Sequence, residues 1–175
     1  MSDLTHDDLV ARCGHWLRAS KHKCPMVFEE PHSVLNEIPD VIGFKVLGES
    51  YLIECKATRS DFLSDKKKRF RKNPETGMGM YRYYACPKGL IDKKEVPSNW
   101  GLIYVYPSQI RIIKRPTRQK RSLENEWILV MTLMKKIHFM TDVPKLLKDY
   151  TAGLKAMKKP RKNNKLRRKY RRKRK

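Results

Sequence analysis

Residues 39–56 constrain the fold more tightly than any other stretch of this chain. Two apolar runs, Asp40–Leu47 and Tyr51–Ala57, are separated only by Gly48-Glu49-Ser50. That is a hairpin-type connection, so the runs are expected to lie side by side as strands. Side chains on a strand alternate between faces, so Glu54 and Lys56 project together while Ile53 and Cys55 point the other way. A carboxylate (Asp40) opens the first run, and a carboxylate and an ammonium (Glu54, Lys56) close the second. Charges on the inner face of an otherwise apolar strand are costly unless they pair or bind a metal ion. Two acids and a lysine at the edge of a small sheet are therefore the candidate site, suited to a divalent cation and an attacking water.

The rest of the chain reads as alternating helices and strands. Leu9, Val10, Cys13, Trp16 and Leu17 recur at helical spacing within residues 5–20, with Thr5 as a cap and Asp7 and Asp8 in the first turn. Met26–Glu30 is a first strand. After the hairpin, Thr58-Arg59-Ser60-Asp61 fits a capping pattern and opens a second helix with a dense basic face. Asn73–Met80, rich in Gly and Pro, is expected to be a mobile break. Arg82–Cys86, Trp100–Tyr106 and Ile110–Lys114 are further strands, the last at an edge. Residues 123–140 form a third helix, apolar around much of its circumference and so expected to be buried against the sheet, with a homodimer interface as the alternative. A short helix is expected over 145–157. The fold class is thus α/β, a mixed central sheet flanked by helices in one domain over 1–157.

Length and composition set the class of partner. A chain of 175 residues that is 39% hydrophobic holds one domain with a real core. Lys and Arg number 41 against 18 acids; residues 158–175 hold 13 of these bases and no acid, which leaves 28 bases against 18 acids, a formal +10, for residues 1–157. The expected partner is a polyanion, DNA first and RNA second. The tail from Lys158, with Arg161, Arg167, Arg168, Arg171 and Arg172, cannot bury apolar surface and is expected to be disordered without a partner. The four cysteines show no C-x-x-C pair and no zinc or iron–sulfur spacing, as expected of reduced thiols in an intracellular protein. No signal peptide and no apolar run of membrane-spanning length is present, so no membrane partner is expected.

The order helix, strand, strand with Asp40, strand with Glu54-Cys55-Lys56, helix, strand resembles the core of the PD-(D/E)XK nuclease superfamily, a restriction-endonuclease-like fold. Pro39-Asp40 and Glu54-Cys55-Lys56 match that motif residue by residue, with thirteen residues between the two acids. The likeness continues through Ala57–Lys66, Tyr83-Tyr-Ala-Cys-Pro87 and Trp100-Gly-Leu-Ile-Tyr-Val105, and there it resembles the MmcB-type branch, endonucleases of bacterial DNA repair with similar versions in phages. It covers roughly residues 9–115; the basic tail and residues 123–140 lie outside it.

The resemblance implies metal-assisted hydrolysis of DNA phosphodiester bonds in repair, recombination or phage DNA metabolism. Asp40, Glu54 and the Cys55 carbonyl would bind Mg²⁺, with Mn²⁺ as a substitute, and Lys56 would orient or activate the attacking water. Glu30 matches an acid that MmcB-type sequences place at the end of the first strand, with Glu29 as its neighbouring alternative. The first helix lacks the glutamate that several branches carry. Asp61 and Asp65 share a helix face and could hold Lys56 or Arg59. Lys66, Lys67, Lys68, Arg69, Arg71 and Lys72 would meet phosphates, and Arg82, interleaved with Tyr81, Tyr83 and Tyr84, would join them beside unpaired bases. No histidine is assigned a role. Two rivals stand beside the enzyme: a non-catalytic DNA binder that keeps the fold, and an RNA-binding protein.

Overall fold

A computed structural model of the chain describes residues 4–19 and 24–158. The elements run α1 (His6–Ala19), β1 (Met26–Glu29), β2 (Val41–Phe44), β3 (Ser50–Cys55), α2 (Arg59–Asp65), α3 (Arg69–Lys72), a 3₁₀ turn over Pro74–Thr76, β4 (Tyr81–Pro87), β5 (Gly101–Val105), β6 (Ile110–Lys114), α4 (Leu123–Met140) and α5 (Val143–Lys158). The strands form one six-stranded sheet in chain order. β1, β2 and β3 are antiparallel neighbours, β3, β4 and β5 are parallel, and β6 returns antiparallel at the edge. The connection between β2 and β3 turns at Gly48, whose φ of 84° is the left-handed region open to glycine.

Each face of the sheet has its own core. Val41, Ile53, Cys55, Tyr83 and Ile103 pack with Leu9, Cys13 and Leu17 of α1. On the other face Ile42, Leu52, Tyr84 and Leu102 meet Phe62 of α2, Met78, Trp100 and Leu129 of α4. The alternation read from the sequence is thus real, and it assigns Glu54 and Lys56 to the Phe62 side. All four cysteines are buried free thiols.

Two expectations need correcting. α4 is not buried against the sheet: within the chain Glu126 and Leu129 are its buried residues, while Trp127 is 65% exposed. Its apolar residues surround the helix, but the core meets only the stripe of Leu129, Val130 and Leu133. Residues 73–80, expected to be mobile, are anchored. Met78 is fully buried. Its N–H donates to Glu37, that of Gly79 to Glu126, and that of Met80 to the Ser50 hydroxyl.

The chain divides into two compact units, one ending at Leu133 and the other beginning at Met134. The sheet and everything that follows concerning the site belong to the first. In the second, Asp142 caps α5 by accepting from the Lys145 N–H at 3.0 Å. Among the described residues no helix is long and apolar enough to cross a membrane.

Candidate active site

Strand register assembles the site. β1 pairs Glu29 with Val41, and β2 pairs Val41 with Ile53. One residue further along, the same antiparallel register brings Glu30 beside Asp40 and Asp40 beside Glu54. The Glu30 N–H donates to the Asp40 carbonyl at 2.8 Å, which extends the ladder to that level. Three acids therefore stand in a row across the ends of three neighbouring strands. On β4 the residue opposite Glu54 is Tyr84.

Asp40 is held from behind. Its Oδ2 accepts the Cys55 N–H at 2.6 Å. The Lys56 N–H points to the opposite neighbour, donating to Ala85 on β4. Because N–H and C=O of one strand residue leave on the same side, the Cys55 carbonyl also belongs on the Asp40 side. Burial and, after it, the charge of Glu54 push the Asp40 carboxyl up to about 6. A buried carboxyl raised by its own burial and by a neighbouring carboxylate is a place where a cation is stabilising.

Lys56 is buried among acids. Its Nζ lies 3.4 Å from Glu54, 3.4 Å from Asp65 and 3.6 Å from Asp61. Burial opposes the charged ammonium, but the surrounding carboxylates outweigh it and the pKa is raised. Its surroundings therefore favour the charged ammonium and hold it among the three carboxylates. α2 delivers Asp61 and Asp65 to it. The helix starts where the Thr58 hydroxyl accepts the Asp61 N–H, and one turn later Asp65 is wholly buried. Asp65 also accepts the Tyr84 hydroxyl at 2.7 Å. Burial would raise its pKa, yet hydrogen bonding and charge from Arg71, with Lys56, hold it below the usual carboxylate range.

Arg71 is the residue that the sequence placed differently. Expected on a phosphate-binding surface, its side chain is 5% exposed and bridges three acids: Glu37 at 3.0 Å, Glu54 at 3.0 Å and Asp65 at 2.7 Å. The Glu54 contact is an ion pair without hydrogen-bond alignment, so Glu54 Oε1, though buried, accepts no hydrogen bond among the described residues. Arg82 is a second correction. It is fully buried, donating to the carbonyls of Gly79, Pro74 and Lys120, and offers no face to a phosphate. Arg59 is a third, because its guanidinium forks onto Glu95 rather than joining Asp61 and Asp65.

The remaining basic residues divide. Lys66, Lys67, Lys68 and Lys72 are exposed, with Lys68 also 2.9 Å from Asp65 and Lys66 over the Phe62 ring. The side chain of Arg69 and the tail positions Lys158, Arg161, Arg167, Arg168, Arg171 and Arg172 lie outside the described side chains. Tyr83 and Tyr84 are core residues, and Tyr81 stacks on Tyr51. Glu30 is half-exposed at a φ of 43°, a strained value for a residue with a side chain. His6, given no role by sequence reasoning, sits 3.3 Å from Glu30 and 3.7 Å from Asp40 Oδ1. Its position follows from α1 beginning over the ends of β1 and β2, a juxtaposition that no local pattern signals. Glu37, in the loop before β2, was equally silent.

The donor set suits a hard cation. Among the described residues no three His, Cys, Asp or Glu side chains are grouped to hold a metal ion. Mg²⁺ does not need three, since it commonly takes one or two carboxylates and keeps several waters. The oxygens that such an ion would use are those of Asp40, Glu54 and the Cys55 carbonyl, with Glu54 Oε1 facing the Arg71 guanidinium at 3.0 Å.

No family model matches the chain, and no curated protein matches it. A solved structure does: the SPO1766 protein of unknown function from Silicibacter pomeroyi is 24% identical, and the match covers 79% of this chain and 90% of that one with a TM-score of 0.60. That likeness establishes a shared mixed α/β fold.

Proposed function

We propose that this chain is a metal-dependent DNA endonuclease of the PD-(D/E)XK type, hydrolysing phosphodiester bonds in DNA repair, recombination or phage DNA metabolism. The observation that carries the reading is the meeting of Asp40 and Glu54 across β2 and β3 with the Lys56 ammonium alongside. The motif resemblance at Pro39-Asp40 and Glu54-Cys55-Lys56 supports it, as does the basic character of residues 1–157.

Asp40, Glu54 and the Cys55 carbonyl would hold Mg²⁺ or Mn²⁺. Such a cation, when bound, makes water a better nucleophile and stabilises charge on the reacting phosphate. Lys56 stays protonated and donates toward the attacking water and the phosphate oxygens. Asp61 and Asp65 fix the direction of that ammonium, and Arg71 fixes Glu54 from behind. The exposed lysines after α2 receive the flanking phosphates, which positions the strand without reading its sequence.

The experiment is incubation of the purified protein with labelled duplex, flap, junction and single-stranded DNA, with Mg²⁺, Mn²⁺ or EDTA. Cleavage in metal alone is expected, and Asp40→Ala, Glu54→Ala and Lys56→Ala are each expected to lower it at least about a hundredfold while retaining DNA binding. If all three variants cut like the parent, the assignment is wrong. If EDTA changes nothing and only salt-sensitive binding is seen, the chain is a DNA- or RNA-binding protein.

A further inference from the structure

The geometry points to a pocket beside the candidate active site that takes one unpaired nucleobase of the DNA substrate. This deepens the endonuclease reading and rests on it. A cavity of about 370 Å³ lies between the loop before β2, α3, the 3₁₀ turn and α4, walled by Leu35, Asn36, Glu37, Phe70, Thr76 and Asn125. Its size is that of a small-molecule site. Phe70 and Leu35 supply apolar walls. Asn36 and Asn125 each carry an amide donor and acceptor, the complement of the mixed donor and acceptor edge of a base. Asn125 is fixed through its Nδ2, which donates to the Thr76 carbonyl at 3.0 Å.

The charge in the wall is already satisfied. Glu37 accepts from Arg71 through one oxygen and from the Met78 N–H through the other. What the cavity wall offers is two amides and the Phe70 ring, over which the Arg71 guanidinium lies at 4.7 Å and the Lys68 ammonium at 5.8 Å, a lining that fits a heteroaromatic group. Its position sets the rest. The Arg71 guanidinium touches Glu37 with Nη1 and approaches Glu54 with Nη2, both at 3.0 Å. One guanidinium thus separates the pocket wall from the candidate metal-binding carboxylate. A base seated here lies beyond that buried guanidinium from Glu54, and the proposal assigns it to a nucleotide near the one whose phosphate meets Asp40 and Glu54. Bases in an intact duplex are stacked and paired, and extruding one costs least where it is already mismatched or unpaired. The substrate implied is DNA with an unpaired base next to the bond to be cut.

The test is equilibrium binding of the full chain, followed by fluorescence anisotropy in EDTA, to three labelled duplexes: fully paired, carrying one bulged adenine, and carrying the same bulge without its base. The adenine bulge is expected to bind at least about fivefold more tightly than either of the others. Asn36→Ala, Phe70→Leu and Asn125→Ala are each expected to remove that preference while affinity for the paired duplex stays unchanged. Asn36 is exposed, so its variant keeps the test intact if the others fold poorly. Equal binding of the baseless bulge, or a preference that survives all three substitutions, overturns the pocket. Cleavage of the paired duplex in Mg²⁺, measured in parallel, reports on the endonuclease reading by itself, because the pocket variants do not alter Asp40, Glu54 or Lys56.

Discussion

Asp40 and Asp65 lie in one cluster yet respond to pH with opposite sign. In the folded chain the Asp40 carboxyl is raised to about 6 from an ordinary 3.8, by burial first and then by Glu54. Between those values the folded state holds a proton that the unfolded state has released, so stability falls as pH rises from about 4 to 6. In metal-free protein this loss is expected to be on the order of 2–3 kcal/mol and to be absent from Asp40→Asn. Urea melts of both proteins at pH 4 and pH 7 measure it. Asp65, held low by Arg71 and Lys56 despite its burial, adds stability that is present above about pH 4 and lost below it. Arg71 matters more than either. Arg71→Ala leaves three buried acids without their shared cation, at a cost of about 3–5 kcal/mol, and denaturant titration should show the loss. The motif residues Asp40, Glu54 and Lys56 were legible because a charge inside an apolar run is conspicuous. Arg71 was not, because in the sequence it is one base in a run of bases, and only the fold turns it inward.

At the level of elements, α2 transmits its cap to the site. Thr58→Ala removes the acceptor for the Asp61 N–H and is expected to cost about 1 kcal/mol. It should also lower cleavage, since Asp61 and Asp65 aim Lys56 from this helix; thermal melts and single-turnover rates test the two effects separately. Gly79 sets the other limit. Its φ is 86°, and a Cβ there would stand 2.5 Å from the Leu52 Cβ, so Gly79→Ala is expected to destabilise by about 2 kcal/mol or more. The strands and α1 were readable because alternation and helical spacing each bury a definite face. The segment 73–80 misled because Gly and Pro signal a break but say nothing about what receives the backbone. Here the acceptors are Glu37, Ser50 and Glu126, distant in the sequence and brought close by the sheet. α4 misled because an all-round apolar pattern does not reveal how much of it the core will meet. Arg82 misled for a related reason: three backbone carbonyls gather around one guanidinium only after folding.

Across the whole molecule, the proposed function assigns affinity to charge and chemistry to the strand ends. With 12 bases in residues 159–175, removing the chain beyond Lys158 should weaken DNA binding at low salt. The dependence of log K on log salt should flatten by roughly 0.9 for each phosphate that the tail neutralises. An unchanged slope would show that the tail does not touch DNA. The rate of cleavage in the bound complex should stay as it was, because the candidate site lies wholly in the unit that ends at Leu133. The most direct measurement is a Mn²⁺ titration of the full chain, with free ion followed by electron paramagnetic resonance, for the parent, Asp40→Asn and Glu54→Gln. The account predicts a bound ion in the parent that both substitutions release. Binding that neither substitution weakens, or no binding in the parent with DNA present, would contradict it.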